Sequence, residues 1–179
     1  GLIVATGVIA SAPTIGYAQD VSALNNIAAT ANGAAGTTLF NVLSGLNPVR
    51  LQEIDTPGTA VAVACQGQRI AVADYAAGLA IVDISNPTSA SITHQVNLGS
   101  AATCVVPYGP LALTGTAGGD VVAVDLRTGA ILWRVPSVAG QVQDLAVSGE
   151  TLYAYRTGRV DAISLTTVVP AVAGSAAIS

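Results

Sequence analysis

The sequence contains no lysine and no methionine, and it has a single histidine, tryptophan and phenylalanine. Charged residues make up only 9% of it, whereas an ordinary soluble domain has about 25%. Its six basic residues are scattered arginines and its net charge is −4, so it lacks the basic stripe that neutralises nucleic-acid phosphates. A surface this poor in charge tends to associate. We therefore expect protein partners or copies of itself, within a larger assembly, and no nucleic acid.

Only two cysteines are present, Cys65 and Cys104, so the chain can form at most one disulfide of its own. They are too far apart for the C-x-x-C spacing of redox, zinc and haem sites. This cysteine usage favours a secreted, cell-surface or periplasmic protein over a metal or redox protein.

The N-terminal segment, 1–18, is apolar and uncharged, but the run is too short and too interrupted for a transmembrane helix. Gly16 and Ala18 resemble the small residues of a signal-peptidase site, which would make this segment the remnant of a signal sequence. The alternative is two strands, Leu2–Thr6 and Thr14–Tyr17, that belong to a partial structural unit. The sequence leaves both alternatives open.

Four similar units follow. Each has a short apolar run before a glycine-containing turn and a second run after it, and each holds four short stretches of strand-like sequence. Four antiparallel strands that repeat about every 40 residues are typical of a β-propeller blade. The first set of runs begins at Ile27, Ile70, Leu111 and Leu152, and the second at Leu39, Ile81, Ala123 and Ala162.

We therefore predict an all-β fold, a β-propeller of about four four-stranded antiparallel blades plus a partial one. The second blade is predicted to contain strands at Ala60–Cys65, Arg69–Asp74, Leu79–Ile84 and Ile92–Leu98, and the fourth to end with a strand at Val168–Ala173. Propellers close with typically 4 to 8 blades, so the chain forms either a small ring or a piece of a larger one. The predicted blades span residues 19–58, 59–100, 101–140 and 141–179, after the segment 1–18.

Two units resemble known propeller repeats. Arg69–Pro87 resembles the LVIVD repeat of bacterial and archaeal extracellular propeller proteins through its Asp74, Ile81-Val82-Asp83 and Ser85-Asn86-Pro87. Asp120–Arg134 is similar to the repeat of pyrroloquinoline-quinone-type propellers. The resemblance implies a propeller of cell-surface type and a tryptophan, Trp133, wedged between blades. It says little about function, because both repeats occur in enzymes and in scaffolds.

Residues that could carry chemistry have simpler structural interpretations. Asp83 and Asp125 recur at equivalent positions, which suits either a ring of Ca²⁺ ligands or, as their repetition with the blade favours, caps of their own turns. His94 is the one candidate general base, and no G-x-S-x-G motif surrounds Ser148. The stretch 115–119 joins two strands, which argues against a phosphate loop. We predict no catalytic, metal or cofactor-binding residues and no enzymatic activity.

Aromatic residues near the predicted turns indicate where partners bind, because tyrosine and arginine are favoured at protein interfaces. The binding face predicted in this way consists of Tyr75, Tyr108, Tyr153, Tyr155 and Arg156.

A disulfide is a second structural prediction. Aligning Ile70 with Leu111 makes Cys65 equivalent to Val106 and Cys104 to Val63. The cysteines are then two positions apart and on the same relative face of their strands. The alternative is two buried free thiols.

Together these features predict a non-catalytic extracellular or periplasmic propeller that serves as a protein-interaction scaffold or binding module. One alternative is a structural subunit of an extracellular filament or surface layer, which low charge and an apolar N-terminal segment suit. A second alternative is an enzyme or a quinoprotein fragment.

Overall fold

The computed structural model describes residues 7–43, 47–136 and 140–166. Within these residues the only regular structure besides β-strands is one 3₁₀ turn at Pro87–Ser89. The all-β prediction is therefore confirmed. None of the described residues belongs to a helix long and apolar enough to cross a membrane.

The strands are short and form four separate antiparallel sheets, which we call blades. Blade 1 contains β1 Asp20–Leu24, β2 Ile27–Ala31, β3 Thr37–Asn41 and β4 Val49–Ile54. Blade 2 contains β5 Ala62–Gln66, β6 Arg69–Ala73, β7 Leu79–Asp83 and β8 Ser91–Val96. Blade 3 contains β9 Ala102–Tyr108, β10 Leu111–Thr116, β11 Val121–Asp125 and β12 Ile131–Val135. Blade 4 contains β13 Val142–Ser148, β14 Thr151–Arg156 and β15 Arg159–Ser164.

The predicted strands agree closely with the observed ones, except at the chain ends. The strands predicted at Leu2–Thr6 and Val168–Ala173 lie outside the described residues. The strand predicted at Thr14–Tyr17 is wrong, because residues 15 and 16 form a bend. Gly16 there has a φ of 62°, and a Cβ on it would lie 2.7 Å from the Asn32 carbonyl oxygen. Such a kink against a neighbouring turn does not continue as a strand.

Apolar side chains fill the seams between consecutive blades. Each inner blade has a forward face, toward the next blade, and a backward face, toward the previous one. In β7, for example, Ile81 packs forward with Val124 of blade 3, and Val82 packs backward with Leu39 of blade 1. Because both faces of an inner blade are covered, β7 is apolar and buried at four consecutive positions, Leu79 to Val82, as in other doubly buried sheets.

Strand pairing establishes which residues of the blades are equivalent. Ala71 pairs with Ile81, Leu113 with Ala123, and Tyr153 with Ala162. Ala71, Leu113 and Tyr153 are therefore equivalent positions of three blades. It follows that Ile70 is equivalent to Ala112 and not to Leu111. The register predicted for this strand of blade 3 is wrong by one position. Because side chains alternate between faces, such a shift exchanges the two faces of a strand.

Each blade also buries one polar residue at or just after the end of its second strand: Asn32, Asp74, Thr116 and Arg156. The Asp74 carboxylate accepts hydrogen bonds from Thr56 Oγ1 at 2.7 Å and from the Gly58 N–H at 2.9 Å. Thr56 and Gly58 lie on the connection that enters blade 2, so Asp74 ties this connection to the turn after β6. Burial of such a group is tolerated because it is hydrogen-bonded.

Candidate functional site: the end face of blade 4

The forward face of blade 4 is exposed to solvent. Along β14, Leu152, Ala154 and Arg156 are buried toward blade 3, whereas Tyr153 and Tyr155 are 40% and 47% exposed. This alternation is typical of a sheet that is covered on one side only. Blade 4 thus presents two tyrosines where an inner blade presents seam residues.

Neighbouring strands complete this surface. Tyr155 pairs with Asp144 on one side and Val160 on the other, and Val160 is 62% exposed. Tyr153 pairs with Ala146 and Ala162 in the next row. A shallow concavity of about 220 Å³ lies among all of these side chains except Ala162. We define the end face as Asp144, Ala146, Tyr153, Tyr155, Val160 and Ala162.

The end face differs from the forward faces of the other blades in size and polarity. The equivalents of Tyr155 are Ala73 in blade 2 and Gly115 in blade 3. A Cβ on Gly115 would lie 2.5 Å from both Cys104 Sγ and Val142 Cγ1. The seam between blades 3 and 4 therefore has no room for a side chain at this position. A partner on the end face must provide more space than blade 4 provides to blade 3.

Arg156 holds the end face in place from behind. It is 2% exposed and donates from Nη1 to the carbonyl oxygens of Gly119 at 2.6 Å and Gly140 at 2.9 Å. Its Nε donates to Asp161 Oδ2 at 2.7 Å. Hydrogen bonds from Arg159 and from Arg156 lower the pKa of the Asp161 carboxyl. Because these bonds link β14 to β15 and to blade 3, they hold the strands that carry the two exposed tyrosines.

The predicted binding face is not one surface. Tyr75 lies in the turn between the second and third strands of blade 2, and Tyr108 lies at the turn between the first and second strands of blade 3. Consecutive hairpin turns are at opposite ends of the strands, so the two tyrosines lie at opposite ends of the blades. Arg156 is buried and cannot contact a partner. Only Tyr153 and Tyr155 share a face, so the prediction of a single face is wrong.

Four end-face residues were missed by sequence reasoning: Asp144, Ala146, Val160 and Ala162. Tyrosine content alone did not point to them, because they are not aromatic. The alternation in Thr151–Arg156, with tyrosine at every second position, was the available signal. It indicates a one-sided strand and hence exposed neighbours on the adjoining strands.

The disulfide prediction is wrong, because both cysteines are free and buried. With the observed pairing, Cys65 is equivalent to Pro107 and Cys104 to Ala62, so the cysteines are three positions apart and on opposite faces. Cys65 packs in the seam between blades 1 and 2, and Cys104 in the seam between blades 3 and 4. Burial raises the pKa of both thiols, and that of Cys104 to about 11.

Asp83 and Asp125 cap their own turns. Asp83 Oδ1 accepts from the Ser85 N–H at 2.8 Å, and Asp125 Oδ1 accepts from the Arg127 N–H at 2.9 Å and the Thr128 N–H at 2.8 Å. Hydrogen bonds from these turn residues lower the pKa of both carboxyls. In the described part of the chain, no group of three or more His, Cys, Asp or Glu side chains is placed to hold a metal ion.

His94 fills space between blades 2 and 3. A Cβ on Gly129 of blade 3 would lie 2.7 Å from its Cδ2, and its Nδ1 lies 3.1 Å from Thr93 Oγ1. Strand pairing makes Trp133 its equivalent in blade 3, and Trp133 packs against the cluster between blades 3 and 4.

Trp133 also lines an apolar groove of about 470 Å³ together with Tyr108, Ile163 and Leu165. The groove reaches Thr166, where the described part of the chain stops. Residues 167–179 follow directly and are not among the described residues, so we assign no site to this groove.

Comparisons with known proteins agree with the blade architecture. Residues 57–97, which include blade 2, match the LVIVD repeat family. No curated protein matches the sequence. The computationally designed protein Ika4 superposes with a TM-score of 0.72 at 15% identity, over 90% of this chain and 100% of Ika4.

Two natural proteins superpose equally well. BamB from Moraxella catarrhalis gives a TM-score of 0.72 at 14% identity, over 88% of this chain and 49% of BamB. Kuenenia stuttgartiensis hydrazine synthase gives 0.71 at 16% identity, over 92% of this chain and 50% of that protein. At these identities the likeness shows the fold alone. The predicted propeller blades and LVIVD repeat are confirmed, and the chain spans about half the length of these two proteins.

Proposed function

We propose that this LVIVD-repeat β-propeller is a non-catalytic protein-interaction module that binds a protein partner through the end face of blade 4. One observation carries the proposal. Tyr153, Tyr155 and Val160 are exposed at positions whose equivalents in blades 2 and 3 are buried in a seam.

The chemistry of the end face suits a protein partner. A tyrosine contributes a large contact area and one hydroxyl for a small loss of side-chain freedom, which is why it is enriched at binding hot spots. Asp144 is the only charged residue among the six that define the face. Depletion of charge at the centre of a patch is a feature of protein interfaces.

An extracellular or periplasmic location forms part of the proposal. It is supported by the LVIVD match at residues 57–97, since the repeat resembles that of extracellular propellers, and by a charge content of only 9%. The free thiols of Cys65 and Cys104 give it no support. Fractionation of the source cells, with the native protein followed by antibody, tests the location directly.

A structural subunit of a filament or surface layer is the second candidate function. It is favoured by exposure at the other end of the stack, where Val21 on β1 is 65% exposed. Two different open faces at opposite ends of a subunit permit head-to-tail association, which extends indefinitely when the rotation does not close a ring.

Site-specific crosslinking in the source cells tests the proposed function. A photo-reactive amino acid replaces Tyr155 in one strain and Tyr75 in another; the two side chains are 47% and 46% exposed, but only Tyr155 lies on the end face. We expect one protein species to crosslink at position 155 and not at 75, and its purified form to bind the wild-type chain but not Tyr155→Asp. Equal crosslinking at both positions, or none at 155, would overturn the proposal.

A further inference from the structure

We propose that the partner on the end face is blade 1 of a second copy of this chain, so that two copies close one ring of eight blades. This inference rests on the proposed function in one respect, namely that the end face binds protein. It goes further by naming the occupant and the geometry of its docking.

Blade stacking defines what kind of surface covers the end face. Each seam joins the forward face of one blade to the backward face of the next. The first strands lie side by side in the order β1, β5, β9 and β13, and no comparable contact links β13 back to β1. The second strand of each of the first three blades also contacts the first strand of the next blade. By the same rule, β14 with its two tyrosines would meet β1 of another copy.

The strand β1 is open on the side that this docking requires. Val21 and Ala23 point backward, away from blade 2, and both are exposed. The same face is already covered on β2 and β3, since Thr30, Thr38 and Phe40 are 8%, 0% and 4% exposed. Within the described residues, the forward face of blade 4 and the backward side of β1, at Val21 and Ala23, are therefore open. One open surface is on a forward face and the other is on a backward face, which is the combination that every seam between blades joins.

Side-chain sizes on the two open faces are complementary. Blade 4 carries Tyr155 where blade 2 carries Ala73, so its forward face is larger than that of blade 2. Blade 1 carries Ala23, paired with Ala28, where blade 2 carries the larger Cys65, paired with Ile70, on its backward face. Facing layers pack well when large residues on one meet small residues on the other. The small residues of blade 1 therefore leave room for the tyrosines of blade 4.

The curvature of the stack indicates how many copies are needed. The chain superposes on about half of BamB and half of hydrazine synthase with TM-scores of 0.72 and 0.71. Its four blades thus follow the path of proteins about twice its length. Two copies supply eight blades, within the typical range of 4 to 8, and a two-fold axis makes both seams between the copies identical and closes the ring.

A separate copy also fits the chemistry of this seam better than a blade that is permanently attached. The seam between blades 2 and 3 is lined by aliphatic residues, among them Ile81 and Leu79. The end face instead combines Tyr153 and Tyr155 with Asp144. Polar groups beside aromatic anchors are usual where folded proteins associate and also exist apart.

Light scattering of the purified full chain tests the ring. We expect a particle of twice the 17.6 kDa chain mass. Tyr155→Asp should weaken the dimer by about 30-fold or more, as removal of an interface hot spot does. Val21→Arg, on the blade 1 side, should do the same. Tyr75→Asp is the matched control, because it makes the same chemical change at equal exposure off both faces, and it should leave the dimer intact.

Engineered crosslinking provides a second readout, which does not depend on weakening the contact between the two copies. In the seam between blades 3 and 4, Leu113 and Leu145 pack in one cluster, and strand pairing makes Tyr153 and Val21 their equivalents. Tyr153→Cys and Val21→Cys are therefore combined in one chain, and oxidation should join copies to each other. A closed ring yields covalent dimers only. Circular dichroism of each variant shows whether it folds, so that a lost dimer is not mistaken for a lost fold.

Three results would overturn the ring: a 17.6 kDa particle at all concentrations, a ladder of higher polymers, or a dimer that survives Tyr155→Asp. The ladder would favour the filament. The two proposals fail separately. A dimer without any further partner upholds the ring and leaves the scaffold unsupported, whereas a different protein crosslinked at Tyr155 of a monomer upholds the binding module and overturns the ring.

Discussion

Blades 2 and 4 share one strand order but differ in how much of each strand is covered. In blade 2, Ile70, Ala71, Val72 and Ala73 are all buried. In blade 4, the corresponding stretch of β14 alternates between buried and exposed residues. Both sheets pair their strands in the same antiparallel way, so the difference comes from their neighbours. A blade flanked on both sides loses the alternation that identifies a strand face, and an end blade keeps it.

The buried residues that hold the turn after the second strand carry opposite charges in blades 2 and 4. Asp74 of blade 2 and Arg156 of blade 4 occupy equivalent positions and are both buried. Asp74 accepts hydrogen bonds from donors on the preceding connection, whereas Arg156 donates to two carbonyl oxygens and a carboxylate. This position holds a buried group that forms hydrogen bonds with nearby polar atoms. An acid suits it where the neighbours are donors, and a base suits it where they are acceptors.

The largest effect is expected for a seam residue of blade 2. Leu79 and Val160 are equivalent, but Leu79 is fully buried. Leu79→Ala should lower the free energy of unfolding by about 3 kcal/mol, from lost burial and the cavity left behind. In the monomer, where Val160 is exposed, the matched control Val160→Ala should change it by less than about 0.5 kcal/mol.

Urea unfolding at a protein concentration low enough for the chain to be monomeric, followed by the fluorescence of Trp133, the only tryptophan, measures both variants. Similar losses for the two would mean that Val160 is already covered in solution. That result would contradict an open end face in the monomer and would itself point to assembly.

Arg156→Ala is expected to come next. It leaves the carbonyls of Gly119 and Gly140 without their charged donor, and removing one partner from a buried network of this kind costs about 3 kcal/mol. Hydrogen exchange should localise the loss to β13–β15. Arg50→Ala is the control, because its ion pair with Glu53 is exposed and such pairs contribute little. Uniform loss of protection across blades 1 to 3 would contradict a local anchor.

Two glycine substitutions compare the seam of blades 2 and 3 with the free hairpin of blade 4. Gly129 and Gly149 have φ values of 70° and 58°, so alanine is strained at both by about 1 kcal/mol. Only Gly129 faces a neighbour, the His94 ring. Gly129→Ala should therefore cost about 2 kcal/mol, with the excess arising from overpacking. Equal thermal unfolding midpoints of the two variants would show that His94 moves aside freely.

How much of this could be predicted from the sequence depended on which faces were buried. Strand positions followed from the repeat, and Tyr153 and Tyr155 marked the exposed side of blade 4. In blades 2 and 3 both faces are apolar, so Ile70 and Leu111 looked equivalent although they point to opposite faces. An apolar pattern specifies register only where one face is polar. For the same reason the faces of Cys65 and Cys104 could not be assigned.

Buried polar groups were the other limit. Arg156 looks like an interface residue by type, because an arginine is rarely buried. Its role depends on carbonyl oxygens outside its own sheet, which are distant in sequence and carry no residue-specific signal. The remaining end-face residues became visible only once pairing placed Asp144 and Val160 beside Tyr155.

The smallest effect concerns pH and again contrasts blades 2 and 4. Burial raises the pKa of the Asp74 carboxyl in blade 2, although its hydrogen bonds with Thr56, Gly58 and Gln95 oppose the rise. In blade 4, hydrogen bonds lower the pKa of Asp161. Folding linked to a raised carboxyl pKa is most favourable at low pH, and this contribution is lost as the pH rises from about 4 through the pKa of the folded state. A lowered pKa acts in the opposite sense.

Asp74→Asn isolates the contribution of blade 2. The asparagine keeps an acceptor for one donor but no longer accepts from both Thr56 Oγ1 and the Gly58 N–H, and the loss of one hydrogen bond of about 1 kcal/mol is partly offset by removal of a buried charge. Urea midpoints from pH 3 to 8 should show the wild type losing stability relative to Asp74→Asn as the pH rises above about 4. Relative to Asp161→Asn, the wild type should instead gain stability as the pH rises to about 4, because the lowered pKa favours the folded state only once the carboxyl is ionised. Parallel pH profiles for the wild type and Asp74→Asn would mean that the Asp74 carboxylate is hydrogen-bonded well enough to cancel its burial, and that the anchors of the two blades differ in sign but not in their linkage to protons.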